Sequence, residues 1–262
     1  GHDATGTRMK TTQTWKIGDC LQLLPEIPDK SIDMILTDLP YGTTACKWDA
    51  IIPFDVVWTE YMRIIKENSP IVLTASQPFT SKLILSNIDW FKYELIWDKM
   101  VGKNPGLAKI RPLPAHESIL VFGKGSIKYN PCLLTGKKYR DVRDKPTNVK
   151  NGNEHKFGFA GNTVNCVNNG YRYPLSVLQF MSYNQEGQHP TQKPLALWEY
   201  LIQTYTNEGD TVHDSCLGSG TTLEACMNTN RNCIGFELLH DWEEHYRKRL
   251  RLDNTKLDAW TT

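Results

Sequence analysis

The sequence predicts a doubly wound, mostly parallel α/β sheet of the Rossmann-like kind, interrupted by a central insertion. Three observations carry that expectation. Short, almost wholly apolar runs at 32–37 (IDMILT), 70–75 and 118–122 (SILVF) have the composition of strands buried on both faces. Segments of helical spacing alternate with these runs, as they must where parallel neighbours are joined by crossovers. A turn rich in small residues, Leu217-Gly218-Ser219-Gly220, joins a strand to a helix near the C-terminal end.

Element by element, residues 14–17 alternate like a strand and turn at Gly18-Asp19. A short helix from Cys20 to Leu24 is stopped by Pro25, and the strand at 32–37 runs directly into Asp38-Leu39-Pro40-Tyr41-Gly42. Helical spacing over 54–65 precedes the strand at 70–75, and a further helix is expected over 79–87. Residues 93–97 and 118–122 are strand candidates. From 123 to about 188 the pattern breaks down into Asn, Gly and Lys with interspersed aromatics such as Tyr129, Tyr139 and Tyr171. Stretches of that length inside a compact chain are characteristically functional or mobile. Regularity returns with a helix at 194–205, a strand at 211–214, a helix at 221–228, a strand at 233–236 and a basic-ended helix at 241–250.

Composition excludes several classes. Among 262 residues, 40% are hydrophobic and 23% charged, which rules out collagen, coiled coil and wholesale disorder. No apolar run reaches the roughly 18–20 residues of a membrane helix, and no signal-peptide pattern is present. Seven scattered cysteines form no Cys-x-x-Cys pair and no zinc-like spacing, as expected of free thiols in a reducing cytoplasm. Neither a metal nor a membrane is expected. Residues 1–8 (GHDATGTR) read as a tag remnant ahead of Met9. The net charge of +1 hides an asymmetry, because residues 100–185 hold 13 Lys and Arg against 4 Asp and Glu. A basic middle in an acidic frame suits a polyanion, although a Lys-rich solvated loop has the same composition.

Two turns carry candidate chemistry. In Asp214-Ser215-Cys216-Leu217-Gly218-Ser219-Gly220-Thr221-Thr222, the glycines let the backbone turn sharply and approach a ligand. Glu237, at the end of the next strand, offers two acceptors in one plane, which suits a ribose diol. No third glycine follows at the dinucleotide spacing and no phosphate loop is present. A lone Gly-x-Gly is also an ordinary tight turn. The second turn, Asp38 to Tyr41, ends a buried strand, where open α/β sheets bind ligands. A carboxylate (Asp38) and a backbone carbonyl (Leu39) there can each accept a hydrogen bond from one N–H of an exocyclic amine. Such a nitrogen is a poor nucleophile because its lone pair is delocalised into the ring; two acceptors draw it towards sp³ geometry. Tyr41 can stack on the ring while Pro40 fixes the turn. Asp, Pro, Tyr and Gly are equally the residues of a plain surface turn.

Together with His189-Pro190-Thr191-Gln192-Lys193-Pro194, these motifs resemble the S-adenosylmethionine-dependent DNA amino-methyltransferases, in the motif order of their β group. The resemblance runs from about Trp15 to Leu250. It implies that residues 9–124 and 189–252 form the catalytic and cofactor-binding domain, 125–188 the target-recognition region, and 253–262 a tail. It implies S-adenosylmethionine as cofactor, with Asp214, Cys216, Gly218, Gly220 and Thr221 cradling it and Glu237 on the ribose. Asp19 would accept the adenine amino group, and His189, Thr191 and Lys193 would complete the methionine pocket. Asp19 is equally suited to cap a helix, and His189 to pack as a loop histidine. Asp38, Leu39, Pro40 and Tyr41 become the catalytic set, acting on a base flipped out of double-stranded DNA. Lys137, Lys138, Arg140, Arg143, Lys145 and Lys150 become phosphate contacts. By the same resemblance, Asp at the first motif position leans towards adenine N6 over cytosine N4.

The sequence departs from the family pattern in two places. Leu39 stands where Pro is usual, which loosens the turn, and Ser215-Cys216 stands where Pro-Phe is usual, which alters an apolar wall. Rival readings remain, a methyltransferase acting on cytosine N4 or on RNA among them. A protein-amide methyltransferase would place the glycine motif before the catalytic turn, whereas Asp214 follows Asp38 by 176 residues. A decayed, non-enzymatic DNA binder would not need Asp38, Tyr41 and Glu237, and a dehydrogenase would need the third glycine. Residence in the cytoplasm of a bacterial or phage-infected cell is expected, and the sequence leaves monomer and homodimer open.

Overall fold

A computed structural model describes residues 10–42, 51–135, 139–141, 166–168, 170–181 and 192–251, with side chains at 139–141 and 166–168 outside the description. In chain order its strands and helices are β1 (Gln13–Ile17), α1 (Cys20–Leu23), β2 (Met34–Thr37), α2 (Phe54–Ile64), β3 (Ile71–Ala75), α3 (Phe79–Ser86), β4 (Phe91–Asp98), β5 (His116–Phe122), β6 (Leu134–Thr135), β7 (Tyr139–Asp141), β8 (Cys166–Asn168), β9 (Tyr171–Arg172), β10 (Val177–Gln179), α4 (Leu195–Tyr205), β11 (Thr211–Asp214), α5 (Thr221–Asn228), β12 (Asn232–Glu237) and α6 (Glu243–Arg249). No helix among the described residues is long and apolar enough to cross a membrane.

Eight strands form one sheet in the order β1-β12-β11-β2-β3-β5-β4-β10. All neighbours are parallel except β3 with β5 and β5 with β4. The mostly parallel expectation therefore holds, with an antiparallel strand, β5, inserted on one side. Alternation sends successive side chains to opposite faces. Met34, Leu36, Val72, Ile119 and Val121 enter one core with α4 and α5, while Ile35, Leu73, Leu120 and Phe122 enter the other with α2 and α3. The helices match these faces: α2 buries Val57, Trp58, Tyr61 and Ile64, a single stripe at helical spacing. The result is three layers, helices on each side of the sheet.

The chain divides into two compact units, Gly1–Asn130 with Leu175–Thr262, and Pro131–Pro174. The second contains two short antiparallel ladders, β6 with β9 and β7 with β8. The segment expected to lack periodicity thus contributes strands. One of them, β10, belongs to the main sheet, where it adds to the β4 edge in parallel. Three residues, of which one is buried, are too few to announce a strand by alternation.

Gly235 shows how the sheet sets the height of the glycine turn. A Cβ there would lie 2.5 Å from Leu217 Cγ, Cδ1 and Cδ2, so the bare backbone of β12 is the seat of the Leu217 side chain. Gly235→Ala is expected to displace Leu217 and destabilise the fold by about 1–3 kcal/mol, the usual cost of overpacking. Thermal unfolding checks this; an unchanged midpoint would show that Leu217 gives way freely.

Candidate active site

Four adjacent parallel strands, β1, β12, β11 and β2, each deliver a carboxylate at or just beyond the C-terminal end: Asp19, Glu237, Asp214 and Asp38. The chain leaves β2 towards β3 and leaves β11 towards β12, so the crevice lies between β2 and β11, where α/β sheets bind ligands. A cavity of about 400 Å³ opens there and is bordered by all four carboxylates.

The glycine turn is fixed from several sides. Asp214 is buried; its Oδ1 accepts from the Cys216 N–H at 3.0 Å and its Oδ2 from the Thr222 hydroxyl. Trp198 Nε1 donates to that same hydroxyl oxygen at 2.9 Å, coupling α4 to the turn. Gly218 and Gly220 take φ of +50° and +77°, backbone that side chains rarely adopt. Tyr246 on α6 donates its hydroxyl to the Gly218 carbonyl at 2.7 Å. Glu237 accepts from the Gly218 N–H (2.8 Å) through one oxygen and from the Leu239 N–H (3.0 Å) through the other. Each oxygen keeps a further lone pair, the planar double acceptor that a diol requires. Asp19 both borders the cavity and caps α1, its Oδ1 taking the Leu21 N–H at 2.9 Å. Cys216 and Thr221 line the cavity as well.

The catalytic-turn candidates gather around Asp38. Tyr41 donates its hydroxyl to Asp38 Oδ1 at 2.6 Å, and the Thr74 hydroxyl donates to the same oxygen. The Tyr41 ring stacks on Phe79 with centroids 5.1 Å apart. Burial, Asp38 and Glu117 together push the Tyr41 phenol well above its ordinary value, so its proton stays on. Leu39 is buried and packs in the α2/α3 core, which anchors the turn in the absence of a second proline. Lys193 borders the cavity, but its ammonium lies 2.6 Å from Asp38 Oδ2 and 3.2 Å from Glu117 Oε2. Burial alone would depress Lys193; Asp38 and Glu117 outweigh it and raise its pKa, keeping the cation charged. Glu117 in turn pairs with Lys99.

Thr74, Phe79, Lys99 and Glu117 were not visible as site residues in the sequence. A lone Glu opening an otherwise apolar strand was the available signal, but its meaning depends on β5 running antiparallel, which brings its first residues to the active edge. His189 and Thr191 lie outside the described residues. So do Lys137, Lys138, Arg143, Lys145 and Lys150; Arg140 is described for its backbone in β7.

Beneath the glycine turn stands a buried polar column. Tyr61 donates its hydroxyl to Ser215 Oγ at 2.8 Å, Ser215 Oγ lies 2.9 Å from His213 Nε2, and His213 Nδ1 lies 2.9 Å from the Ile234 carbonyl. Burial pushes His213 down to about 4, so the imidazole is neutral, whereas burial pushes Asp214 up to about 6.

A carboxylate with two free acceptor positions and a glycine turn at the switch point of the sheet, with an acid-carbonyl turn one strand away, are groups suited to a nucleoside cofactor and an amine acceptor. Comparison with known proteins gives the family. The family model described as DNA methylase matches residues 32–248. The Type II methyltransferase M.HpaI of Haemophilus parainfluenzae is 28% identical over 92% of this chain and 75% of its own. DNA adenine methyltransferase YhdJ of Escherichia coli K12 is 27% identical over 89% of this chain and 81% of its own. The structure of PvuII DNA methyltransferase (cytosine-N4-specific) superposes with a TM-score of 0.64 at 20% identity, covering 94% of this chain and 89% of that one. The M1.HpyAVI–SAM complex superposes at 0.59 and 24% identity, covering 92% and 100%; at such identities the likeness speaks for the fold. The chain belongs to the S-adenosylmethionine-dependent DNA amino-methyltransferases of the N6-adenine/N4-cytosine family.

The raised Asp214 carries a stability consequence. Its carboxyl titrates near 6 when folded against 3.8 as a free side chain, so its stability contribution is complete below pH 3.8 and is lost as pH rises through 6. Above that window the buried charge costs about 3 kcal/mol. Asp214→Asn is therefore expected to gain thermal stability over the parent at pH 8, less what the amide forfeits towards Cys216 and Thr222, with the advantage vanishing near pH 4. Melting curves at both pH values check this; an equal difference at the two would remove the charge as its cause.

Proposed function

We propose that this chain transfers a methyl group to the N6 amino group of an adenine flipped out of double-stranded DNA. The observation that carries the reading is the position of Asp38 and the Leu39 carbonyl at the end of β2, beside the crevice bounded by Asp214 and Glu237. S-adenosylmethionine supplies a methyl group on a sulfonium sulfur. The residues fit it: four carboxylates facing one cavity favour a cationic ligand, and a Cβ at Gly218 would meet nothing within 4 Å, leaving room for close approach to the backbone. Glu237 would hold the ribose hydroxyls, Asp214 and the glycine turn the methionine end, and Asp19, through its remaining oxygen, the adenine amino group. His189, Thr191 and Lys193 would close the methionine pocket.

On the acceptor side, Asp38 and the Leu39 carbonyl take the two N–H groups of the target amine and stabilise the positive charge that develops on its nitrogen. Pro40 fixes the turn. Tyr41, braced by Phe79, offers an aromatic surface for the flipped base. Region 125–188, including Lys137, Lys138, Arg140, Arg143, Lys145 and Lys150, takes the phosphates and reads the target. Asp38 as the first motif residue, together with the relative named as an adenine methyltransferase, supports adenine over cytosine.

Nucleoside mass spectrometry of unmethylated DNA after incubation with the protein and S-adenosylmethionine tests the base. N6-methyladenine is the expected product; N4-methylcytosine would keep the chemistry and overturn the base. Asp38→Ala is expected to cut the transfer rate at least ~100-fold while sparing cofactor affinity, the scale of a lost acceptor in the transition state. A loss within about tenfold, roughly 1.4 kcal/mol of barrier, would deny it the role. Glu237→Ala is expected to weaken cofactor binding in calorimetry, and unchanged affinity would remove it from the ribose site. Neutralising Lys137, Lys138 and Arg140 together is expected to lower the log–log salt slope of DNA binding by nearly 3, about 0.9 per lost phosphate contact. An unaltered slope would return that cluster to solvent.

A further inference from the structure

Asp38 does not stand alone. Asp38, Lys193, Glu117 and Lys99 form a row of alternating charge, running from the end of β2 to the first residues of β5 and the residue after β4. The side chains of Lys193, Glu117 and Lys99 are 11–13% exposed, so an unbalanced charge here would be strongly penalised.

Counting lone pairs shows what the row does for Asp38. Its Oδ1 accepts from both the Tyr41 and the Thr74 hydroxyls and is full. Its Oδ2 holds the Lys193 ammonium and keeps one lone pair. A donor arriving from the cavity therefore lands on Oδ2, beside a cation. An ammonium bound there alone would be free to cover the remaining lone pair, and would repel a nitrogen gaining positive charge. Glu117 counters both effects. It draws on the same ammonium from 3.2 Å, and its Oε2 is a buried oxygen with no donor in hydrogen-bond geometry among the described residues. That contact gives the ammonium a second anionic anchor besides Asp38.

The geometry points to Glu117 as a positioning residue that acts through Lys193, holding the ammonium to one side of Asp38 Oδ2 so that the second lone pair stays open to the target amine. This rests on the reading of Asp38 as the acceptor of that amine. Lys99, on the other Glu117 oxygen, keeps the Glu117 carboxylate in place.

The test is a double-mutant cycle of Glu117→Gln and Lys193→Met. It is read by single-turnover transfer of labelled methyl from S-adenosylmethionine to unmethylated plasmid DNA, by calorimetric affinity for S-adenosylmethionine, and by thermal unfolding. Glu117→Gln is expected to slow transfer about 30-fold, within the range of direct coupling, with cofactor affinity changed less than twofold. In the Lys193→Met background the same substitution is expected to cost nothing further. A merely structural role would give equal losses in both backgrounds, and that result overturns the proposal. So would a tenfold loss of cofactor affinity, which would assign Glu117 to the cofactor pocket, or a wild-type rate in Glu117→Gln. Should Glu117→Gln fail to fold, Glu117→Asp, which withdraws the charge by one methylene, carries the same cycle with a smaller expected loss. Asp38→Ala is run alongside. If it transfers at the wild-type rate, the reading of Asp38 fails; if it is inactive while Glu117→Gln is not impaired, the tether alone fails.

Discussion

The gathering of negative charge at one edge of the sheet is the constraint around which the rest of the site is arranged. Parallel strands all deliver their C-terminal ends to the same side, and here four neighbours each end in a carboxylate. Each has a different solution. Glu237 is held by two backbone N–H groups, Asp214 by one N–H and a hydroxyl, Asp19 by the helix it caps, and Asp38 by two hydroxyls and a lysine. Among the described residues, Asp38 alone of the four is paired with a full cation, and that cation is itself shared with a fifth carboxylate. The division suits the two tasks proposed for the crevice, with a backbone-held negative cradle on the β11–β12 side and a cation-paired acceptor on the β2 side.

How much of this was legible in the sequence follows from the range of the interactions. The elements from Thr211 to Glu237 are legible almost to the residue, because strand, glycine turn, helix and strand follow one another locally in the sequence. The same holds for Asp38 to Tyr41. What escaped depends on which strand lies beside which. Residues 93–97 and 118–122 were found as strands, but nothing in their composition announced that β5 runs against its neighbours. That reversal carries Glu117 to the active edge, where its partner Lys99 also lies. β10 escaped for a different reason: it is a short edge strand that relies on β4 for its hydrogen bonds. The final helix, expected from 241, begins as a 3-10 turn at His240–Trp242 before α6.

The departures from the family pattern find physical accounts. Leu39, expected to loosen the catalytic turn, instead drives its side chain into the α2/α3 core, so burial replaces ring rigidity as the means of holding the turn. Ser215 uses its hydroxyl as the middle member of the Tyr61–His213 column, a link that proline could not make. Cys216 and Cys20 both line the cavity wall, and the interaction between their thiols lowers Cys20 while raising Cys216. The altered wall expected at this position is a pair of soft, polarisable groups.

The pairing of β1 with β12 closes the sheet in an unusual temporal order. Residues 13–17 lie against residues 233–237, and the Gly18 N–H bonds the Glu237 carbonyl at 2.7 Å. The cradle is therefore spliced from the two far ends of the sheet-forming sequence, while the Asp38 turn is available from the start. A chain emerging from the ribosome carries the Asp38 turn long before the glycine turn and Glu237. Contacts of such long separation form late and slowly. A chain that stops short of β12 thus lacks both the strand against which β1 pairs and the Glu237 carboxylate.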